Sequence, residues 1–440
     1  MSRLEAHGRM VGDIVSAAHL TTLEQIPDLV TEHAARAGWP EVLIYLADLQ
    51  QESLYLLSGQ ETDAKGRAGG SDDRPAALRV EGTLAGRAFQ TGHVLAATPA
   101  SSGQWWVPLL DGTERLGVLR VRAGTDAHPE DAQDLRKLAG LIALLMVSKR
   151  GTSDSYATLV RRRRMGVAAE MEWRLTPPRT FATDRALISA VMEPAYEVSG
   201  DVFDYGIAGE KVNLCVFDAM GHDIAAGLTA NLAVAACRNH RRQNGGLLET
   251  AEAVDQVLTA EFHGSRYATG IIATLDLATG SLSWVNRGHH PPVVIRGGRT
   301  VVTLACPPAP PMGTGIDAGA TLCHDQLEPG DRLVLYTDGI TEARSPGGEE
   351  FGLTRFTDFL IRHHHDGLPV PETLRRLIRS HLDYHHGQLD DDATVLLVEW
   401  NGPTPYPVAD VEALAGLPPG SAPADALTPA WGARDDQEES

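Results

Sequence analysis

Leu333-Val334-Leu335-Tyr336-Thr337-Asp338-Gly339-Ile340-Thr341-Glu342-Ala343 runs from an apolar strand into a turn, with a carboxylate at the joint. Two further strings share the design. Leu214-Cys215-Val216-Phe217-Asp218-Ala219-Met220-Gly221-His222 ends an apolar strand on an acid, and Asp390-Asp391-Asp392-Ala393-Thr394-Val395-Leu396-Leu397-Val398 leads from acids into one. A fourth acidic group lies in Glu197-Val198-Ser199-Gly200-Asp201-Val202-Phe203-Asp204. Each strand is apolar enough to be central in a sheet, so its end is a rigid support for a carboxylate. Taken singly, each string reads as ordinary turn chemistry, since Asp before Gly is common in turns. Taken together they suggest convergence, and convergence has a cost. Two carboxylates about 4–5 Å apart repel by roughly 3–4 kcal/mol at an effective dielectric near 20. A few such pairs would exceed a domain's whole stability margin of about 5–15 kcal/mol. Bound cations would remove that cost, and a site of hard oxygen ligands selects magnesium or manganese over zinc. His222 is the one nearby imidazole and does not overturn that choice.

Around these strings, residues 182–400 alternate strand-like runs with helical blocks. Strands are expected at Lys211–Phe217, Ala268–Leu275, Ser281–Asn286, Pro292–Arg296, Thr300–Leu304, Arg332–Thr337 and Thr394–Trp400. Ala278-Thr279-Gly280 and Gly297-Gly298 supply hairpin turns. Ile224–Arg241 and Leu247–Phe262 read as consecutive helices. Strands joined by hairpins imply antiparallel sheets with helices packed outside, an α+β class. Beyond Asn401 the chain is rich in Pro, Ala, Gly and Asp and is expected to be a disordered acidic tail over 402–440.

The first 150 residues read as a separate α+β unit. A helical segment runs to about Ala37, and strands follow at Val42–Leu46 and Ser53–Leu57. A polar, Gly-rich loop spans Asp63 to Arg74, and Asp111-Gly112 joins two apolar runs as a hairpin. A helix starting near Pro129 carries Leu135, Leu138, Ile142 and Leu145 at helical spacing. Residues 151–180 form a joint, in which Tyr156 to Leu175 reads as one helix ended by Pro177-Pro178. Its run Arg161-Arg162-Arg163-Arg164 reads as a solvated face between the two units.

Composition narrows the function classes. A formal charge of −20 argues against a nucleic-acid binder, because phosphate backbones are held by Lys and Arg. The longest apolar stretch, Leu138 to Val147, is half of what a membrane span needs, and Met1 to His7 lacks a signal-peptide core. The expected location is therefore cytoplasmic, with no membrane partner. Cys215, Cys237, Cys306 and Cys323 show no CxxC spacing and do not read as a disulfide scaffold or zinc site.

The combined acidic strings resemble the metal-dependent protein phosphatase family (PPM), in its bacterial branch typified by stage II sporulation protein E. The branch's Glu-Val-Gly-Gly-Asp-x-x-Asp element matches Glu197 to Asp204 except at Ser199, and Asp-x-Met-Gly-His matches Asp218 to His222. Gly288-His289-His290-Pro291-Pro292 approximates a Gly-His-x-Pro-Pro element, Tyr336 to Ala343 matches without change, and Asp391 to Thr394 matches Asp-Asp-x-Thr. The resemblance implies an α-β-β-α sandwich over 181–401 with two Mn²⁺ or Mg²⁺ ions. It implies Asp201, Asp218, Asp338 and Asp391 as ligands, with the Ala219 carbonyl, and Asp218 and Asp338 at the centre of catalysis. Asp204, Asp223 and Asp392 are secondary candidates. Asp223 is also placed to cap the helix that begins at Ile224. Residues 1–150, through Gly82-Thr83-Leu84-Ala85-Gly86-Arg87-Ala88-Phe89 and the strands after it, resemble a GAF sensor domain. Ligand-binding sensor and ligand-free dimerisation module both stay open for it.

The implied activity is hydrolysis of phosphoserine or phosphothreonine on a regulatory partner, in this branch often an anti-anti-sigma factor, under control of the N-terminal unit. Water acidified by the two metals would attack phosphorus without a phosphoenzyme intermediate. The alternatives are a catalytically silent phosphatase-like binding module and a metal-dependent phosphodiesterase.

Overall fold

The structure is a computed structural model, and it describes residues 3–58, 76–97, 103–123, 131–193, 196, 200–344, 347–384, 391–404, 412–413 and 415. The expected Asp63–Arg74 loop, the start of a helix near Pro129, and Glu197–Ser199 lie outside them.

The N-terminal half holds α1 (Arg3–Ala17), α2 (Ile26–Arg36), β1 (Glu41–Ala47), β2 (Ser53–Leu56), β3 (Ala77–Arg79), α3 (Leu84–Thr91), β4 (Leu95–Ala96), β5 (Gln104–Asp111), β6 (Glu114–Arg122) and α4 (Asp131–Arg150). Its six strands pair antiparallel in the order β3-β2-β1-β6-β5-β4. The strand period of two sorts side chains to opposite faces. Val42, Ile44 and Leu46 pack with α1, α2 and α4 residues such as Ile14, Val30 and Ile142. Tyr45, by contrast, packs with Phe89 of α3 on the other side.

The joint is α5 (Asp154–Val160) and α6 (Val167–Leu175). The single helix expected over Tyr156–Leu175 is therefore broken across 161–166, where Arg161 is extended (φ −96°, ψ 121°). Like charges one turn apart repel on a helix, and the arginines are instead drawn to separate partners. Arg161 pairs with Glu170 at 2.5 Å, and the Arg162 guanidinium lies over the Tyr55 ring at 4.5 Å.

The C-terminal half comprises β7 (Thr180–Ala182), β8 (Ala186–Glu193), β9 (Asp201–Ala208), β10 (Lys211–Ala219), α7 (Ile224–Arg241), α8 (Leu247–Phe262), β11 (Ala268–Asp276), β12 (Ser281–Arg287), β13 (Val293–Arg296), β14 (Thr300–Thr303), β15 (Leu322–Gln326), β16 (Asp331–Tyr336), α9 (Asp338–Thr341), α10 (Gly352–His365), α11 (Val370–Tyr384) and β17 (Ala393–Trp400). One antiparallel sheet runs β15-β12-β11-β10-β9 and the other β14-β13-β16-β17-β8-β7. Their inner faces meet through Phe203, Leu214, Val216, Trp284, Leu335 and Leu396. The outer face of the first packs on α7 and α8 through Phe217, Val234 and Leu258. The outer face of the second packs on α10 and α11 through Val334, Phe356 and Leu377. The layers are thus helix, sheet, sheet, helix. Among the described residues no helix is long and apolar enough to cross a membrane.

Two expectations are corrected. Cys306 and Cys323 form a disulfide, their Cα atoms 5.9 Å apart, because the fold brings the segment after β14 alongside the start of β15. Within the stretch expected to be disordered, Glu412 is buried and Ala415 joins the apolar cluster beneath α10 and α11.

α11 touches both halves. Arg375 donates to Glu81 of the N-terminal half at 2.5 Å, and Arg379 pairs with the same carboxylate at 3.1 Å. Gln90 of α3 bridges Glu81 at 3.0 Å and Glu372 at 3.5 Å. Six residues beyond Arg375, the buried His381 ring meets the Gly339 carbonyl at 3.0 Å.

Candidate metal centre

Four strand ends meet at one edge of the sandwich. Asp201 opens β9 and Asp218 stands near the end of β10, and the two are direct cross-strand partners. Directly opposed residues point to the same face, here the face between the sheets, where Leu214 and Val216 also point. In the other sheet Asp338 follows the end of β16, while Asp391 and Asp392 precede β17, its antiparallel neighbour. Thr337 ties the sheets together. Its hydroxyl donates to Asp201 Oδ2 at 2.5 Å and accepts from the Thr394 amide at 2.9 Å. Asp392 Oδ2 accepts from the Gly200 amide at 2.5 Å.

The electrostatics show how close these groups come. The Asp218 carboxyl is pushed up to about 7, first by burial and then by repulsion from Asp338, Asp391 and Asp392. Asp201 is raised well above the ordinary range by burial and by Asp218 and Asp392. Burial and Asp338 raise Asp391, against lowering contributions from the Asp392 amide and His222. Among the described residues no Lys or Arg forms an ion pair with Asp218, Asp338 or Asp391. The backbone is crowded too: a Cβ at Gly200 would lie 2.4 Å from the Ala219 carbonyl oxygen and 2.7 Å from that of Gly221. Carboxylates and carbonyls without a neutralising side chain are the donor set of a hard-cation site, and the residues present suit a divalent cation of the manganese or magnesium kind.

Of the sequence candidates, Asp201, Asp218, Asp338, Asp391 and Asp392 are brought together, with Ala219 beside them. Asp392 is more central than its secondary ranking suggested. Asp223 caps α7 as its position implied, accepting from the Ala226 amide at 2.8 Å, and is paired with Arg266 at 2.8 Å. Asp204 is elsewhere. One residue out of phase with Asp201 and Phe203, it faces α7, fully buried, and holds Arg238 at 2.6 Å and Arg241 at 3.1 Å. It neither faces solvent nor orients groups in the acidic cluster. Asp204→Asn should accordingly cost about 3 kcal/mol of stability by leaving two cations without their counter-charge. Metal affinity, measured by calorimetry, should stay within about twofold, a gap of under half a kcal/mol. A large loss of affinity with unchanged melting would place Asp204 in the centre instead.

Thr337, Thr269 and His381 were not anticipated. Thr337 stands inside the deciding string, next to Asp338, and its hydroxyl was the available signal. Thr269 is the cross-strand partner of Asp218 and His381 braces Gly339; neither lies near an acidic string, and contact across the fold is their only mark.

Protein IcfG of Synechocystis sp. is 26% identical over 243 residues, covering 49% of this chain and 38% of that protein. Phosphoserine phosphatase RsbP of Bacillus subtilis is 24% identical over 230 residues, covering 51% of this chain and 54% of that one. The chain thus spans about half the length, or less, of these two relatives. The SiaA-PP2C domain of Pseudomonas aeruginosa superposes with a TM-score of 0.46 at 22% identity, covering 53% of this chain and 94% of that domain. The part of the chain that holds Asp218, Asp338, Asp391 and Asp392, residues 208–401, matches the family described as Stage II sporulation protein E.

Proposed function

We propose that this chain is a metal-dependent protein phosphatase that removes phosphate from phosphoserine or phosphothreonine of a regulatory partner, an anti-anti-sigma factor being the kind the resemblance implies. The observation that carries the reading is the meeting of Asp201, Asp218, Asp338 and Asp391 from four strand ends, with burial first and then repulsion from Asp338 and Asp391 raising Asp218 to about 7. The name of RsbP and the match over 208–401 support it.

Asp201, Asp218, Asp338 and Asp391, with the Ala219 carbonyl, would hold the two cations, Mn²⁺ or Mg²⁺. Bound there, the ions supply an activated water at neutral pH and neutralise charge on the phosphoryl group. The chain's own part is to hold the carboxylates still. Thr337 fixes one oxygen of Asp201 and the Gly200 amide fixes one of Asp392. His381 holds the peptide that follows Asp338. The N-terminal half is read as the regulator, and α11, which touches it through Arg375 and Arg379, offers a route for control.

Purified protein should release phosphate from a phosphoserine protein substrate only with manganese or magnesium, and chelator should lower the rate by at least about 10³-fold, the several kcal/mol a catalytic metal contributes. Full activity in chelator removes the proposal. Tight, metal-free capture of a partner without turnover would favour the binding-module alternative.

A further inference from the structure

Arg115, near the start of β6, carries a guanidinium buried where the two halves meet. Its side chain is only 3% exposed, and neither of its Nη atoms has a hydrogen-bond partner among the described residues. The one carboxylate within ion-pair reach of it, among the same residues, is Glu372 of α11, 3.9 Å from Nη1. That acid is already committed. Arg375 donates to it at 2.8 and 2.9 Å and Arg376 at 2.8 Å. Burial, with repulsion from Arg375, pushes the Arg115 guanidinium down to about 10 in spite of Glu372. A charged donor taken out of water without a partner is costly to a fold.

The space beside Arg115 suits a partner that supplies negative charge. Arg115 lines a cavity of about 40 Å³ at the junction of the two halves and the joint. Gln50 reaches it from the β1–β2 turn, Arg179 from the joint, Ser189 and Glu193 from β8, and Arg375 from α11. Its charged lining is three guanidiniums and one carboxylate, and that carboxylate, Glu193, accepts from Gln50 at 3.1 Å. Arg179 is fixed in place: it donates to the Leu49 carbonyl at 2.6 Å, and its guanidinium lies 4.4 Å from the centre of the Trp173 ring. A water needs about 10–15 Å³, so the cavity takes a few waters or one small ion. It excludes ligands of drug or nucleotide size, which need about 300 Å³ or more. Water would satisfy donors and leave the surplus of positive charge. An anion does both.

We propose that Arg115, Arg179 and Arg375 hold one small inorganic anion of halide size between the two halves. Guanidinium N–H groups make the stronger, charge-assisted kind of hydrogen bond to anions, and Arg115 offers two nitrogens that no other group takes up. None of these residues belongs to the acidic cluster, so the proposal stands or falls apart from the phosphatase reading.

The test follows thermal melting of the full chain as sodium bromide replaces sodium gluconate, an anion too large for the cavity, at constant ionic strength. The parent should gain about 2 °C or more for each tenfold rise in bromide past half-saturation, as binding to the folded state requires. Arg115→Met should lose that gain. In gluconate alone it should melt no lower than the parent, because an uncompensated buried charge has been replaced by an apolar side chain. Arg36→Met, at an exposed position on α2, should keep the gain. Anomalous scattering at the bromine edge should place one bromide beside the Arg115 Nη atoms. An equal response in the parent and Arg115→Met overturns the proposal, as does no response in the parent or water alone in the cavity. Bromide seen there only at molar concentration, without a melting response, is an adventitious ion only and overturns it as well.

Discussion

Asp218→Asn is expected to reduce metal-dependent phosphate release by on the order of 10³-fold, the several kcal/mol of charge stabilisation that a properly held cation provides. The same change should make the metal-free protein more stable. Asp218 is buried opposite Asp201 and is repelled by Asp338, Asp391 and Asp392, which with burial lifts its carboxyl to about 7. In the unfolded chain an aspartate loses its proton near 3.9. As pH rises from about 4 to 7 the unfolded chain releases this proton first, so the metal-free fold loses stability across that window and keeps the full penalty above it. The melting temperature of the asparagine variant should therefore exceed that of the parent by a margin that grows from pH 4 to pH 7 and then levels off. Manganese should reverse the order by stabilising the parent more. A metal-free variant that melts below the parent at pH 8 would mean that Asp218 is held by a counter-charge rather than waiting for one.

Gly339→Ala should cost about 1–3 kcal/mol, the usual penalty for overpacking, together with much of the activity. A Cβ at this position would lie 1.9 Å from the Asp392 carbonyl oxygen and 2.7 Å from its carbon. Those atoms are backbone, so the α9 turn and the start of β17 would have to part. The gap between Asp338 and Asp392 would widen with them, and a misplacement of about 1 Å can cost 10²-fold in rate. Gly140→Ala is the control: it lies in α4 with nothing within 4 Å of its would-be Cβ, and alanine in a helix interior gains about 0.5–1 kcal/mol over glycine. A Gly339→Ala protein that melts and turns over like the parent would show that the two loops are not held by this contact.

Much of the C-terminal half was legible because its signals are local. The apolar run Leu333–Tyr336 ending on Thr337-Asp338 is β16 and the turn after it. Ile224–Arg241 and Leu247–Phe262 are helices with the expected bounds, since Asp223 caps the first and a Gly246 turn separates them. β8 went unread because Ala186–Glu193 is buried on both faces along most of its length, which removes the alternation that marks a half-exposed strand. The break at 161–166 depends on Tyr55 and Glu170 as partners for the arginines, and no spacing reveals partners. Cys306 and Cys323 are 17 residues apart and meet only because the sheets place them together. The acidic strings announced a cluster, but the rank of Asp392 above Asp204 followed from sheet phase: Asp392 receives the Gly200 amide, while Asp204 faces the opposite side of β9.

α11 behaves as a strut clamped at two points. From Arg375, seated on Glu81, to His381, seated on the Gly339 carbonyl, the axis advances about 9 Å. α11 is itself packed on the second sheet through Leu374 and Leu377, so a push on Arg375 from Glu81 would travel towards the turn bearing Asp338 as the shift of one short, rigid segment.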